Sequence, residues 1–272
     1  MRLLFLGDVV GRAGREAVTA YLPGIIAAWR LDAVICNGEN AAGGFGITES
    51  IAQDFIDAGV DAITLGNHSF DQREALVFID RQQRMIRPVN YPSGTPGRGS
   101  VIVRTRNGAR IGVVNVMGRV FMDPLDDPFA SLERVLPGLE LKNATDAVVV
   151  DFHAEASSEK QAAANYCDGR VSLFVGTHTH VPTADHRILP EGTAYVTDVG
   201  MCGDYDSIIG MDKAEPMYRF KHKITSGRFE AAEGPATLTG VAVEIREDTG
   251  LAKAIYPVRF GGILEKIIPP WI

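Results

Sequence analysis

Apolar residues in the first part of the chain come in short unbroken runs rather than in strict alternation with polar ones. Leu3–Leu6, Ala33–Cys36 and Ala62–Leu65 each end in a polar, Gly-containing segment. Residues at helical spacing follow each run, over Ala13–Trp29, Ser50–Ala58 and Arg73–Arg81. Near-continuous apolar runs mark strands buried on both faces, and their alternation with helices predicts parallel βαβ units. Thr48 predicts a helix N-cap and Gly59 a stop. Pro23 predicts a break or kink in the first helix.

Further along, Ser100–Arg106 and Ala109–Val116 flank Asn107-Gly108, a dipeptide suited to a two-residue hairpin turn with positive φ. Met117–Pro128, rich in Asp and Pro, reads as a surface loop. Asp146–Asp151 and Val171–Val175 are further buried-strand candidates, with a helix over Ser157–Tyr166 between them. Tyr195–Val199, Thr237–Ile245 and Ala252–Arg259 read as strands, with a turn at Glu247–Gly250. Parallel units followed by antiparallel strands imply an α/β fold: two packed mixed β-sheets flanked by helices. No linker, repeat or low-complexity tract divides the chain, so one domain over residues 1–272 is expected.

Composition narrows the partners. The 272 residues are 46% hydrophobic and 22% charged, ordinary values for a globular protein. The net charge of −7 argues against strong binding of duplex nucleic acid, which needs a basic face. Small phosphorylated substrates stay open where cations supply the positive charge. Cys36, Cys167 and Cys202 are odd in number and form no C-x-x-C pair, which fits idle thiols in a reducing compartment. The apolar start meets Gly7-Asp8 too soon for a signal peptide. No run approaches the ~18 apolar residues of a membrane span, so a cytoplasmic protein with no membrane partner is expected.

The chemistry lies at the ends of the predicted strands. In an open α/β sheet, ligands bind beyond the carboxyl ends of the strands. Five such ends carry metal-capable or proton-transferring groups: Gly7-Asp8, Asn37-Gly38-Glu39-Asn40, Gly66-Asn67-His68, Asp151-Phe152-His153 and Gly176-Thr177-His178-Thr179-His180. His178 and His180 should point the same way if their segment is extended. The candidate ligands are Asp8, Glu39, Asn40, Asn67, His153, His178 and His180, all oxygen or imidazole donors. Seven are too many for one transition metal but suit two ions sharing a carboxylate. Without thiolates the set suits iron, manganese or zinc.

In this order the motifs resemble those of the calcineurin-like metallophosphoesterases, over residues 7 to 180. The first motif, Asp8-Val9-Val10, lacks the superfamily's usual His. Gly38-Glu39-Asn40-Ala41-Ala42 has Glu for the usual first Asp and Ala for the second. These departures resemble the YmdB-type bacterial branch, as does Ser207-Ile208-Ile209-Gly210 after Asp198-Val199-Gly200-Met201. The resemblance implies a four-layer α/β/β/α sandwich and a dinuclear phosphodiesterase acting on 2′,3′-cyclic nucleotides.

By the same resemblance, Glu39 bridges two ions. Asp8, Asn40 and His180 complete one site, and Asn67, His153 and His178 the other. The Asn40 amide oxygen hardens the first site, which favours iron or manganese over zinc. A hydroxide held between the ions would attack phosphorus in line, with His68 as the general acid for the leaving oxygen.

The carboxylate that usually orients this histidine is missing, since Ala42 stands in its place. Asp71 is a conceivable substitute, but a helix N-cap before Gln72-Arg73 is the favoured reading. Asp151 reads as strand-end support for His153, while the role of Glu155 stays open. Phe45, in the Gly-rich loop after Asn40, could stack on a base. Gly203–Asp206 and Met211–Lys223 are candidates for a lid or a subunit contact, and homo-oligomerisation stays open. Two rival functions remain: a phosphomonoesterase on nucleotides or phosphoproteins, and a non-catalytic regulator binding a phosphorylated ligand or RNA.

Overall fold

In the computed structural model, which describes residues Met1–Ile272, the apolar runs form strands buried on both faces. Strand β1 (Arg2–Leu6) and the two-residue β2 (Asp8–Val9) lead into helix α1 (Gly11–Trp29). Then come β3 (Ala33–Asn37), α2 (Glu49–Asp57), β4 (Ala62–Thr64), a single turn α3 (Ala75–Phe78) and β5 (Met85–Ile86). The hairpin β6 (Ser100–Arg104) and β7 (Arg110–Met117) precedes α4 (Pro128–Val135), β8 (Ala147–His153), α5 (Ser157–Cys167) and β9 (Leu173–Thr177). Short strands β10 (Arg187–Ile188), β11 (Ala194–Val196) and β12 (Met201–Asp204) are followed by α6 (Ala214–His222). The hairpin β13 (Ala236–Ile245) and β14 (Ala252–Gly261) comes last.

The strands assemble into two mixed sheets. One has the order β2-β12-β13-β1-β3-β4-β5, with β14 beside β13; the other runs β10-β11-β9-β8-β7-β6. Side chains alternate across a strand, and this divides each apolar run between two layers. Leu4 and Leu6 of β1 pack with Leu22 and Ile25 of α1 and Phe55 of α2. Leu3 and Phe5 face the other way, onto Val113, Val149 and Leu173 of the second sheet. The second sheet's outer face, with Val148, Val150 and Phe174, is covered by Leu132 of α4 and Ala163, Ala164 and Cys167 of α5. The result is the expected α/β/β/α layering. No helix is long and apolar enough to cross a membrane.

Some local expectations hold and others shift. Pro23 does not end α1, which continues to Trp29. It lies on the exposed side of the helix, where a carbonyl deprived of its donor can meet water. Thr48 caps α2 by accepting from the Ile51 amide, and Gly59 follows with φ at 107°. Arg73–Arg81 forms one helical turn plus irregular turns. The hairpin at Asn107-Gly108 is wider than a two-residue turn: the Thr105 amide donates to Ala109 O, and only Gly108 takes positive φ. Strand β11 ends at Val196, short of Val199.

A polar seam joins the two sheets at one end. Asp151 on β8 is fully buried. It accepts from Asn37 Nδ2 at 3.1 Å and from the Thr64 hydroxyl, both on the first sheet, and from Thr177 Oγ1 at 2.6 Å on β9. Asn115 on β7 adds a link, accepting from the Leu65 amide and donating to Asp151 O. Buried donors left without a partner cost about 1–3 kcal/mol each. Asp151→Ala should therefore lower stability by at least about 3 kcal/mol in urea unfolding; a loss below about 1 kcal/mol would show that the seam does not hold the sheets in register.

Candidate metal centre

Parallel strands end on a common edge. The carboxyl ends of β1, β3 and β4 in one sheet and of β8 and β9 in the other meet above the Asp151 seam, bringing the five motifs together. His153 is the last residue of β8 and is fully buried. Its Nε2 lies 2.9 Å from Glu39 Oε1, 2.9 Å from Asn67 Oδ1 and 3.0 Å from His178 Nδ1. Its Nδ1 is 2.9 Å from Thr177 Oγ1, which donates to Asp151. The seam thus orients the ring as well as the sheets. Glu39, His153 and His178 form a group whose ligand atoms lie within 4.8 Å of one another.

The other candidates surround this group. Asp8 is fully buried, with Oδ1 lying 3.8 Å from His153 Nδ1 and 3.9 Å from His180 Nε2. Its Oδ2 accepts from the His178 amide. Asn40 Nδ2 donates to Gly44 O. Asp8 Oδ1 and Asn40 Oδ1 remain buried without any hydrogen-bond partner. Gly66 must be glycine, since a Cβ there would lie 2.4 Å from Glu39 Oε2 and 2.5 Å from His153 Nε2.

His178 and His180 do converge, but not by strand alternation. Both lie past the end of β9 with φ at 100° and 64°, a region that non-glycine residues rarely occupy. Asp198 holds this kinked segment. It accepts from Thr179 N and Oγ1, from Gly200 N and from Lys160 Nζ at 2.8 Å. Lys160 and Asp198 are both buried. Sequence reading missed this pair; the signal available was a lysine among the buried positions of α5. His180 Nδ1 meets Ile209 O at 2.7 Å, which leaves Nε2 to the cluster. Glu155 lies 3.3 Å from His178 Nε2 and so braces that ring.

His68 stands beside the cluster. Its amide donates to Glu39 Oε2 at 2.9 Å, and its ring Nδ1 lies 2.7 Å from Asp71 Oδ2. The N-cap reading of Asp71 is therefore wrong: α3 begins only at Ala75, and the carboxylate faces the imidazole. The ring is packed edge-on by Phe45, with centroids 5.1 Å apart.

Charge in the cluster is organised around His153. Burial opposes ionisation of Glu39, but the His153 charge and hydrogen bond outweigh it and hold the carboxyl down at about 2. Burial likewise lowers His153, yet Glu39, Asp8 and Asp151 raise it to about 9. His178 is pushed down to about 3 by burial and by the neighbouring charge of His153. Burial raises Asp8 well above the carboxylate range, with His153 opposing. In the metal-free cluster one proton on His153 thus faces Glu39, Asn67 and His178. A cation bound among the same donors would do this work better, and the oxygen and imidazole set suits iron, manganese or zinc.

The model of the YmdB-like protein family matches residues 4–258. A 2′,3′-cyclic-nucleotide 2′-phosphodiesterase of Bacillus subtilis (strain 168) is 49% identical over 255 residues, which is 94% of this chain and 95% of that protein. A hypothetical protein from Thermus thermophilus superposes with a TM-score of 0.89 at 44% identity, covering 97% of this chain and 100% of its own. A Mycoplasma pneumoniae protein described as a novel phosphatase gives 0.87 at 34% identity, covering 100% and 95%.

The raised His153 sets a pH dependence for the metal-free protein. A group whose folded pKa lies above its ordinary value adds stability below that ordinary value and loses it as pH rises through the folded one. In chelator the thermal midpoint should therefore fall as pH climbs from about 6.5, the ordinary histidine value, to about 9. Glu39, held at about 2, loses its share only in acid. Saturating manganese should reverse the alkaline fall, and calorimetry of His153→Asn should not show it. A midpoint flat across this range in the wild-type protein would contradict the charge assignment.

Proposed function

The chain belongs to the YmdB-like protein family, the branch its motifs resemble, and we propose that it is a dinuclear metal-dependent phosphodiesterase that opens 2′,3′-cyclic nucleotides. The observation that carries this reading is the crowding of His153 Nε2. Three potential acceptors lie within 3.0 Å of it, and one proton cannot serve them all. In the proposed assignment Glu39 would serve both of two cations, Asn67, His153 and His178 would hold one, and Asp8, Asn40 and His180 the other. The unpartnered oxygens of Asp8 and Asn40 support the second site. Iron or manganese is favoured over zinc because an amide oxygen replaces an imidazole there.

When bound, the cations neutralise phosphoryl charge and acidify the attacking water. The chain's own contribution to proton transfer is His68. Asp71 accepts from its Nδ1–H, fixing the ring so that Nε2–H can donate to the departing oxygen. The Bacillus relative's name puts the cleaved ester at the 2′ position. Carried over, the ribose 2′ oxygen leaves with the His68 proton and the phosphate stays on the 3′ oxygen. Glu39 Oε2 holds the His68 backbone at 2.9 Å, coupling the acid to the cation cage. A monoesterase is the second reading, supported by the description of the Mycoplasma pneumoniae structure as a phosphatase.

Elemental analysis with parallel assays of 2′,3′-cyclic AMP and p-nitrophenyl phosphate tests the proposal. About two metal equivalents and preferential turnover of the cyclic ester are expected. His178→Ala should lose metal and activity together. His68→Ala should keep its metal and lose about 10²–10⁴-fold in turnover, with Asp71→Asn losing less. Full activity without metal, or a stronger monoesterase rate, would overturn the reading.

A further inference from the structure

A cavity of about 520 Å³ opens beside Glu39, His68, His178 and His180. Its size lies within the range of small-molecule pockets, and the proposed chemistry uses only its polar floor. The opposite wall is mostly apolar and comes from the chain between β12 and β13, which includes the Met211–Lys223 segment expected to form a lid or subunit contact. Phe220 is 74% exposed, Ile224 59% and Ile209 53%, although all three line the cavity. Large apolar side chains left in water beside a polar site mark a surface kept for a ligand.

The wall is also held in place. Ile209, a β-branched residue, has φ at 48°. Its carbonyl meets His180 Nδ1 while its side chain lines the cavity. Backbone strain of this kind costs about 1–3 kcal/mol and is kept where the surroundings enforce it. The Arg219 guanidinium lies 3.8 Å from the Phe229 ring centroid, with Nε on Glu215 at 2.6 Å and Nη2 on Gly227 O at 3.0 Å. Glu215 also accepts from the Ser226 amide and hydroxyl, tying α6 to the segment after it. With Nε and Nη2 engaged and the guanidinium over Phe229, Arg219 stiffens the wall. Across the cavity stands Phe45, packed against His68.

We infer that this cavity is the nucleobase subsite, in which Phe220 and Ile224 pack on the base while the phosphate lies at the floor. The inference rests on the proposed phosphodiesterase reading and adds which residues set its substrate preference. A planar aromatic heterocycle is the part of a nucleotide that gains from apolar and aromatic walls. Arg219, Lys223 and Thr225 also line the cavity, but the exposed apolar area of Phe220 and Ile224 is what a base would cover, so larger purines should be preferred to pyrimidines.

The test uses the full-length metal-loaded enzyme, Phe220→Ala and Ile224→Ser, and two substrates with the same five-membered cyclic ester. One is 2′,3′-cyclic AMP; the other, glycerol 1,2-cyclic phosphate, has no base. The ratio of their kcat/KM values should fall about tenfold in each variant, mostly through KM for the nucleotide. A ratio within twofold of wild type in both variants overturns the subsite. Should the wild-type enzyme cleave neither ester, the phosphodiesterase reading fails, and the subsite is judged by calorimetry with 3′-AMP and glycerol phosphate. A tenfold weaker affinity of Phe220→Ala for 3′-AMP, without a matching change for glycerol phosphate, sustains it; equal affinities in wild type and variant overturn it.

Discussion

The buried carboxylate of Asp151 is the constraint on which the rest depends. It accepts from Asn37 and Thr64 on one sheet and from Thr177 on the other. Burial raises its pKa, against His153 and these hydrogen bonds. The apolar interface between the sheets is non-directional and could tolerate some sliding. The polar seam cannot slide without exposing unpaired donors to an apolar interior. Register between the sheets is thereby specified just beneath the point where their strand ends must cooperate.

Above the seam, local rules of folding are broken repeatedly. His178, His180 and Ile209 take left-handed backbone conformations, and two acceptor oxygens are buried without partners. Asp198, paired with the buried Lys160, supplies the bonds that keep the 178–180 segment bent. Such concentrated strain is what a preorganised binding site looks like in a fold that is otherwise locally consistent. The stability it costs is offset by three apolar layers packed across both sheets.

Two halves of the pocket have separate origins. Strand ends of the double sheet present the polar groups with the precision of rigid scaffold positions. The chain between β12 and β13 supplies the apolar wall, joined to the cluster through Ile209 and His180. Loops and short helices can vary without disturbing the sheets, so this wall can change while the polar cluster is retained.

Much of this could be read from the sequence. Unbroken apolar runs dictate strands buried on two faces, because period-two side chains must find an apolar partner on each side. The polar residues ending those runs mark one edge as the candidate site, because parallel strands share a direction. Other features depended on contacts that no local pattern encodes. The route of His178 and His180 into the cluster needed Asp198 and Lys160, which are remote in sequence from the first motifs. Asp71 turned toward His68 rather than capping a helix because the following residues packed as a single turn. The apolar wall became visible only once α6 lay opposite the strand ends. Sequence alone determined which side chains could carry the chemistry and on which edge they would stand; tertiary structure decided their angles, protons and neighbours, since these arise from long-range packing rather than from the chain's own periodicity.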